Sequence, residues 1–94
     1  MQVIQNKEAS RFETSIDGET AFIEYVEKPG AVLLLTHTCV PRQIAGRGVG
    51  TKLVVETLEL IRRLEFKIVP LCPFIVAYLK KTNDFQDIIA PKLH

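Results

Sequence analysis

Three of the chain's five glycines, Gly46, Gly48 and Gly50, alternate inside the run Val40-Pro41-Arg42-Gln43-Ile44-Ala45-Gly46-Arg47-Gly48-Val49-Gly50-Thr51-Lys52-Leu53. This run separates two different periodicities. Ahead of it, Ala31 to Val40 begins with Ala31-Val32-Leu33-Leu34-Leu35, apolar without alternation, which predicts a central strand buried on both faces. Beyond it, Leu53, Val54, Thr57, Leu58, Ile61 and Leu64 recur at helical spacing, with Lys52, Glu56, Glu59, Arg62 and Arg63 on the other side. A helix is expected over about residues 49–65. Glu59 and Arg63 form an i, i+4 pair on it, and the two arginines suit the C-terminal end of the helix dipole. Phe66-Lys67-Ile68-Val69-Pro70-Leu71 is short and β-branched, so it reads as a second strand. Strand, helix and strand make a βαβ unit with parallel strands, and ligands of such sheets bind beyond the carboxyl ends. His37, Cys39, the glycine run and Cys72 therefore belong to one rim of the sheet.

The remaining segments read as short elements around this unit. Met1 to Glu8 has no clear period and suits either a short edge strand or a loose terminus. Arg11 to Ile16 places Phe12, Thr14 and Ile16 on one face, and Asp17-Gly18 then signals a hairpin because both residues tolerate positive φ. Thr20 to Val26 is the return strand, and Pro29-Gly30 turns the chain into the strand that starts at Ala31. Pro73 suits the first position of a second helix, which makes Cys72 its N-cap. Phe74, Ala77, Tyr78 and Lys81 follow at helical spacing. Thr82-Asn83-Asp84 ends that helix, Phe85 to Ile89 is a short closing element, and Pro91 onward a frayed tail. The expected architecture is α/β, a mixed sheet in which an antiparallel meander is followed by a βαβ unit and a C-terminal helix, in a single domain over residues 1–94.

Composition excludes several function classes. With 12 basic and 11 acidic residues the net charge is +1, so no global field draws the chain to nucleic acid or to an anionic membrane. No apolar run reaches the ~20 residues of a membrane span, and the N-terminus lacks a signal-peptide pattern. Cys39 and Cys72 are too few for a secreted disulfide framework and read as free thiols in a cytoplasmic protein. With His37 and the terminal His94 they match no zinc spacing, so no metal is expected.

A strand feeding a glycine loop that opens a helix presents bare backbone N–H groups to phosphate. A plain strand-to-helix connection accounts for the same residues. The P-loop pattern is absent, and the spacing of Gly46, Gly48 and Gly50 does not fit a dinucleotide fingerprint. Ala45-Gly46-Arg47-Gly48-Val49-Gly50, with Leu53 after it, instead resembles the pyrophosphate loop of the GNAT superfamily of acetyl-CoA-dependent N-acetyltransferases. Their pattern is Gln/Arg-x-x-Gly-x-Gly/Ala, and Ala45 stands where the Gln or Arg is usual. His37-Thr38, the Ile68 to Phe74 segment and Phe85-Gln86-Asp87-Ile88 follow the order of a short, single-domain (YjdJ-like) branch, so the resemblance covers roughly residues 11–89.

The resemblance implies acetyl-CoA as cosubstrate, an amine of a small molecule or protein as acceptor, and catalysis largely by positioning. Backbone groups of Ile44, Ala45, Gly46, Arg47, Gly48, Val49, Gly50 and Thr51 would hold the pyrophosphate, and an amide near Val40 would polarise the thioester carbonyl. Cys72, at a helix N-terminus, is either a buried small hydrophobe or a reactive thiol beside the thioester. His37 is either a hydrogen-bonded strand histidine or the base that deprotonates the amine. Tyr78 compares weakly with the tyrosine that protonates departing CoA in many relatives, and reads rather as a core or rim tyrosine. Arg42 and Arg47 are either solvated loop charges or partners of the CoA phosphates, the ribose phosphate included. Two other readings stay open: a CoA-binding module with little turnover, and a protein-interaction domain without ligand. So open a small site is also one that a second copy of the chain could complete.

Overall fold

Asp17 and Gly18 both have positive φ, 50° and 78°, and join two of the strands predicted for the meander. The structure, a computed structural model, describes residues 1–91. Its elements are β1 (Ile4–Asn6), β2 (Arg11–Ile16), β3 (Glu19–Lys28), β4 (Val32–Cys39), α1 (Val49–Arg63), β5 (Lys67–Pro70) and α2 (Pro73–Leu79). Single 3-10 turns lie at Arg42–Ile44 and Gln86–Ile88. The five strands form one sheet in sequence order, antiparallel from β1 to β4 and parallel between β4 and β5. This is the mixed α/β sheet with a βαβ unit expected from the sequence. Beyond Pro91, the segment read as a frayed tail, with His94, lies outside the described residues.

Of the two readings of the N-terminal segment the structure takes the edge strand, β1. Several other details differ. Ala31 has φ 60° and completes the turn, so β4 begins at Val32. Leu33 and Leu35 are fully buried, but Val32 and Leu34 are only half-buried, so β4 is covered on one face and not on both. Its lack of alternation reflects apolar residues left on the open face. The covered face carries Phe12, Ala21, Ile23, Tyr25, Leu33, Leu35 and Ile68, packed with both helices in a single core. Helix α1 supplies Val49, Leu53, Val54, Thr57, Leu58 and Ile61, whereas Leu64 lies past its last turn and is exposed. Helix α2 buries Ile75 and Leu79, not the Phe74, Ala77, Tyr78, Lys81 stripe.

Within this core the Thr57 hydroxyl is buried without a hydrogen-bond partner among the described residues. An unsatisfied buried hydroxyl costs about 1–3 kcal/mol, and valine has nearly the same shape without that group. Thr57→Val should therefore raise unfolding stability by about 1 kcal/mol, read from urea denaturation.

The closing segment is fastened by Arg62. Its guanidinium pairs with Asp87 at 2.9 and 2.8 Å, reaches Glu59 at 3.5 Å, bonds the Asp84 carbonyl, and lies 4.8 Å over the Phe85 ring. The partner of Glu59 is thus Arg62 and not Arg63, because Asp87 holds the Arg62 fork where Glu59 can reach it. The Ala90 N–H then bonds the Ile68 carbonyl at 2.8 Å, and Ile89 bridges Ile68 at the free edge of β5. Hydrogen bonding to Arg62 lowers the Asp87 pKa below the ordinary carboxylate value. A depressed folded-state pKa means the stabilisation is present above the unfolded pKa and is lost as pH falls through the folded value. Acidifying below about pH 4 should therefore lower the hydrogen-exchange protection factor of the Ala90 amide, and Arg62→Ala should produce the same loss of protection at neutral pH.

Candidate functional site

The register between β3 and β4 slips by one residue at its centre. Glu24 pairs with His37 while Tyr25 pairs with Leu35, so Thr36 is the extra residue of a β-bulge. The slip returns Thr38, opposite buried Ile23, to the helix-covered face. The same slip puts His37, opposite Glu24, on the open face, where it is exposed, and Cys39 shares that face with it. Pairing between β4 and β5 ends near the bulge, at Leu35 with Pro70. There the chain turns away from β4: the N–H groups of Leu71 and Cys72 both donate to the Leu35 carbonyl, at 3.0 and 2.9 Å. From Thr38 to Val40 no strand among the described residues lies on the β5 side of β4, and a gap opens toward the start of α2.

Cys72 lies behind Thr38, beside this gap. It is the N-cap of α2, ahead of Pro73, as the sequence predicted, and only 6% exposed. Its Sγ lies 3.3 Å from the Thr38 hydroxyl. Burial pushes the thiol pKa up, but hydrogen bonds from the Thr38 hydroxyl and the backbone N–H groups of Ile75, Phe74 and Thr38 outweigh it and hold the pKa below the ordinary thiol value. Both cysteines are free thiols. The side chain that faces Cys72 is therefore Thr38 and not His37; the bulge sets the two apart.

The glycine run forms the outer wall. The turn at Arg42–Ile44 uses the N–H of Ile44 for the Pro41 carbonyl and that of Ala45 for the Arg42 carbonyl, and the Ile44 side chain is fully buried. Neither amide is left to meet a ligand, which removes Ile44 and Ala45 from the set of free donors. Gly46 and Gly48 have φ of 83° and 74°, and a Cβ on either would meet nothing within 4 Å, so their backbone borders open space. Gly48 is the N-cap of α1. The first helical bond runs from the Lys52 N–H to the Gly48 carbonyl at 3.1 Å, which places the N–H groups of Val49, Gly50 and Thr51 ahead of the ladder. No side chain caps them, and no acidic residue lies in that turn. Helix α1 therefore offers an uncompensated positive end.

Gly50 has another task. Its Cβ would come within 2.9 Å of the Phe74 ring, so the missing side chain lets α2 approach α1. Phe74 closes a cavity of about 410 Å³ whose other walls are the Thr38 and Val40 edge, Gly46, Gly48 and the Val49–Thr51 turn. Five of the predicted loop residues, with Val40, thus share one cavity. Thr38 and Phe74, named before only within matching segments, join them as site residues: the bulge that turns Thr38 inward and the close approach of Phe74 to Gly50 are contacts between distant segments. The Arg47 side chain points away, pairing with Asp17 at 2.6 Å and with the Gln43 carbonyl at 3.3 Å. Among the described residues no cluster of three His, Cys, Asp or Glu side chains is found, and no helix is long and apolar enough to cross a membrane.

Comparison with known proteins agrees with the fold. The sequence pattern of the GCN5-related N-acetyl-transferase family matches residues 11–88. A GCN5-like candidate N-acetyltransferase from Staphylococcus aureus, whose structure was solved in solution by NMR, is 27% identical. The match covers 99% of this chain and 91% of that one, with a TM-score of 0.70. No curated protein matches.

Proposed function

The chain belongs to the GCN5-related N-acetyl-transferase family, and from that premise we propose that it transfers an acetyl group from acetyl-CoA to an amine. The observation that carries this reading is the cavity between the free edge of β4 and the uncapped start of α1, closed by Phe74. Its donors suit a pyrophosphate: amides of Gly48 to Thr51 at a helix N-terminus, no acidic side chain in the turn, and open space at Gly46 and Gly48. Acetyl-CoA supplies an activated acyl group, and the residues along the cavity bind, orient and deprotonate.

The two faces of the sheet divide the work. The cosubstrate reaches the gap from the helix-covered face, where the Val40 amide meets the thioester oxygen. The Cys72 thiolate attacks the thioester carbonyl, the bond to the CoA sulfur breaks, and the CoA thiolate leaves with the electron pair. The acceptor enters from the open face, where His37 removes a proton as the amine nitrogen attacks the acyl carbon and restores the Cys72 thiolate. Thr38 and the α2 amides support that thiolate at both steps.

Incubation with acetyl-CoA, followed by native and intact-mass spectrometry, tests the reading. The protein is expected to bind acetyl-CoA and to gain one acetyl group that Cys72→Ala does not gain. His37→Ala should lower turnover over an amine panel by about 10²-fold or more with affinity for acetyl-CoA unchanged. No binding of acetyl-CoA sinks the proposal; binding with unchanged turnover in Cys72→Ala removes the covalent step alone.

A further inference from the structure

The stripe Phe74, Ala77, Tyr78, Lys81 on α2 has helical spacing, yet the core is built from Ile75 and Leu79 instead. The stripe faces a second cavity, of about 370 Å³, between α2 and the start of α1, walled by Thr51 and Thr82 as well. The two cavities share Thr51 and Phe74, so they form one continuous groove with the Phe74 ring as its saddle. One end holds the strand edge and the glycine loop, with the Cys72 thiol behind Thr38, and the other, past the shared Phe74 ring, holds Tyr78 and Lys81. This is also the order of chemistry in coenzyme A, which runs from sulfur through pyrophosphate to a purine nucleoside carrying a ribose phosphate.

We propose that the α2 stripe is the nucleoside subsite and that Lys81 recognises the ribose 3′-phosphate. The proposal rests on the acetyl-CoA reading above. Phe74 and Tyr78 offer aromatic surface to a purine, and Tyr78 is braced by Phe85 at a ring distance of 6.3 Å. Lys81 is exposed and pairs with no carboxylate among the described residues. Arg47, the loop cation nearest the pyrophosphate in sequence, is tied to Asp17 on the side of the β2–β3 turn. A lysine at this place is a point charge on a flexible stem, suited to a terminal phosphate at the open end of a groove.

Calorimetric titration with CoA and with 3′-dephospho-CoA tests this. The wild-type chain should bind CoA about tenfold more tightly than dephospho-CoA, one charge-assisted contact. Lys81→Ala should abolish that preference while leaving affinity for dephospho-CoA unchanged, and Lys81→Arg should keep it. Lys80→Ala, an exposed neighbour outside the groove, should behave as wild type. Equal binding of both ligands by the wild type, or a preference that survives in Lys81→Ala, overturns the subsite while leaving the acetyl-CoA reading standing. Failure of the wild type to bind either ligand overturns both.

Discussion

Gly48→Val is expected to lower acetyl-CoA affinity at least tenfold and to cost about 1–2 kcal/mol of folding stability. Gly48 sits in the left-handed region, at φ 74°, and is the residue from which α1 departs. A β-branched side chain is strained there, so the backbone can relieve the strain only by rotating toward negative φ. That rotation turns the amides of Val49, Gly50 and Thr51, which are aimed as a set because all three precede the first helical hydrogen bond. The space beside Gly48 is open, so a direct clash within the fold plays no part. Gly50→Ala separates the two effects. Its φ is not left-handed, and the added methyl displaces only the exposed Phe74 ring, so binding should weaken by a few-fold while the loop stays intact. Calorimetry for affinity and urea denaturation for stability check both variants. Unchanged affinity in Gly48→Val would show that these amides do not hold the phosphates.

The features legible in the sequence are those written in local chemistry. Asp17-Gly18 announces its turn because two adjacent positive φ angles need residues that tolerate them. The start of α1 at Val49 follows from glycine giving way to helical spacing, and the start of α2 from Pro73 after Cys72. The family pattern rides on the same residues, which is why the family could be read from them. What escaped the sequence depends on contacts between distant segments. Bare apolar periodicity does not show which face of β4 is covered, since Val32 and Leu34 are as apolar as Leu33 and Leu35. One bulge residue, Thr36, exchanges the places of His37 and Thr38, and the pairing rule has no term for it in a single strand. Helical spacing on α2 likewise leaves its buried face undecided. Phe74 and Tyr78 look like core residues by composition, but the short helix turns Ile75 and Leu79 inward and leaves the aromatics to line a groove. Hydrophobic side chains at an unfilled groove and in a core carry the same letters.

Leu53→Ala should lower stability by about 2–5 kcal/mol, a large part of the roughly 5–15 kcal/mol typical of a domain. Leu53 is fully buried two residues after Thr51, where it presses the first turn of α1 onto the sheet. Leu58→Ala, equally buried but more than a turn further along, should cost a similar amount. The two variants differ in what ligand can restore. An intact site gains about 2.7 kcal/mol from acetyl-CoA at one hundred times its dissociation constant, because only the folded state binds. Leu58→Ala should keep that gain, since the emptied space lies away from the loop. Leu53→Ala should keep less of it, because the free amides of Val49, Gly50 and Thr51 lose the packing that fixes their direction, and part of the binding energy goes into ordering them. Urea denaturation of both variants with and without acetyl-CoA measures the difference. Equal gains would place the rigidity of the site in the glycine loop's own backbone geometry, and unequal gains place it in the core beneath the first helical turn.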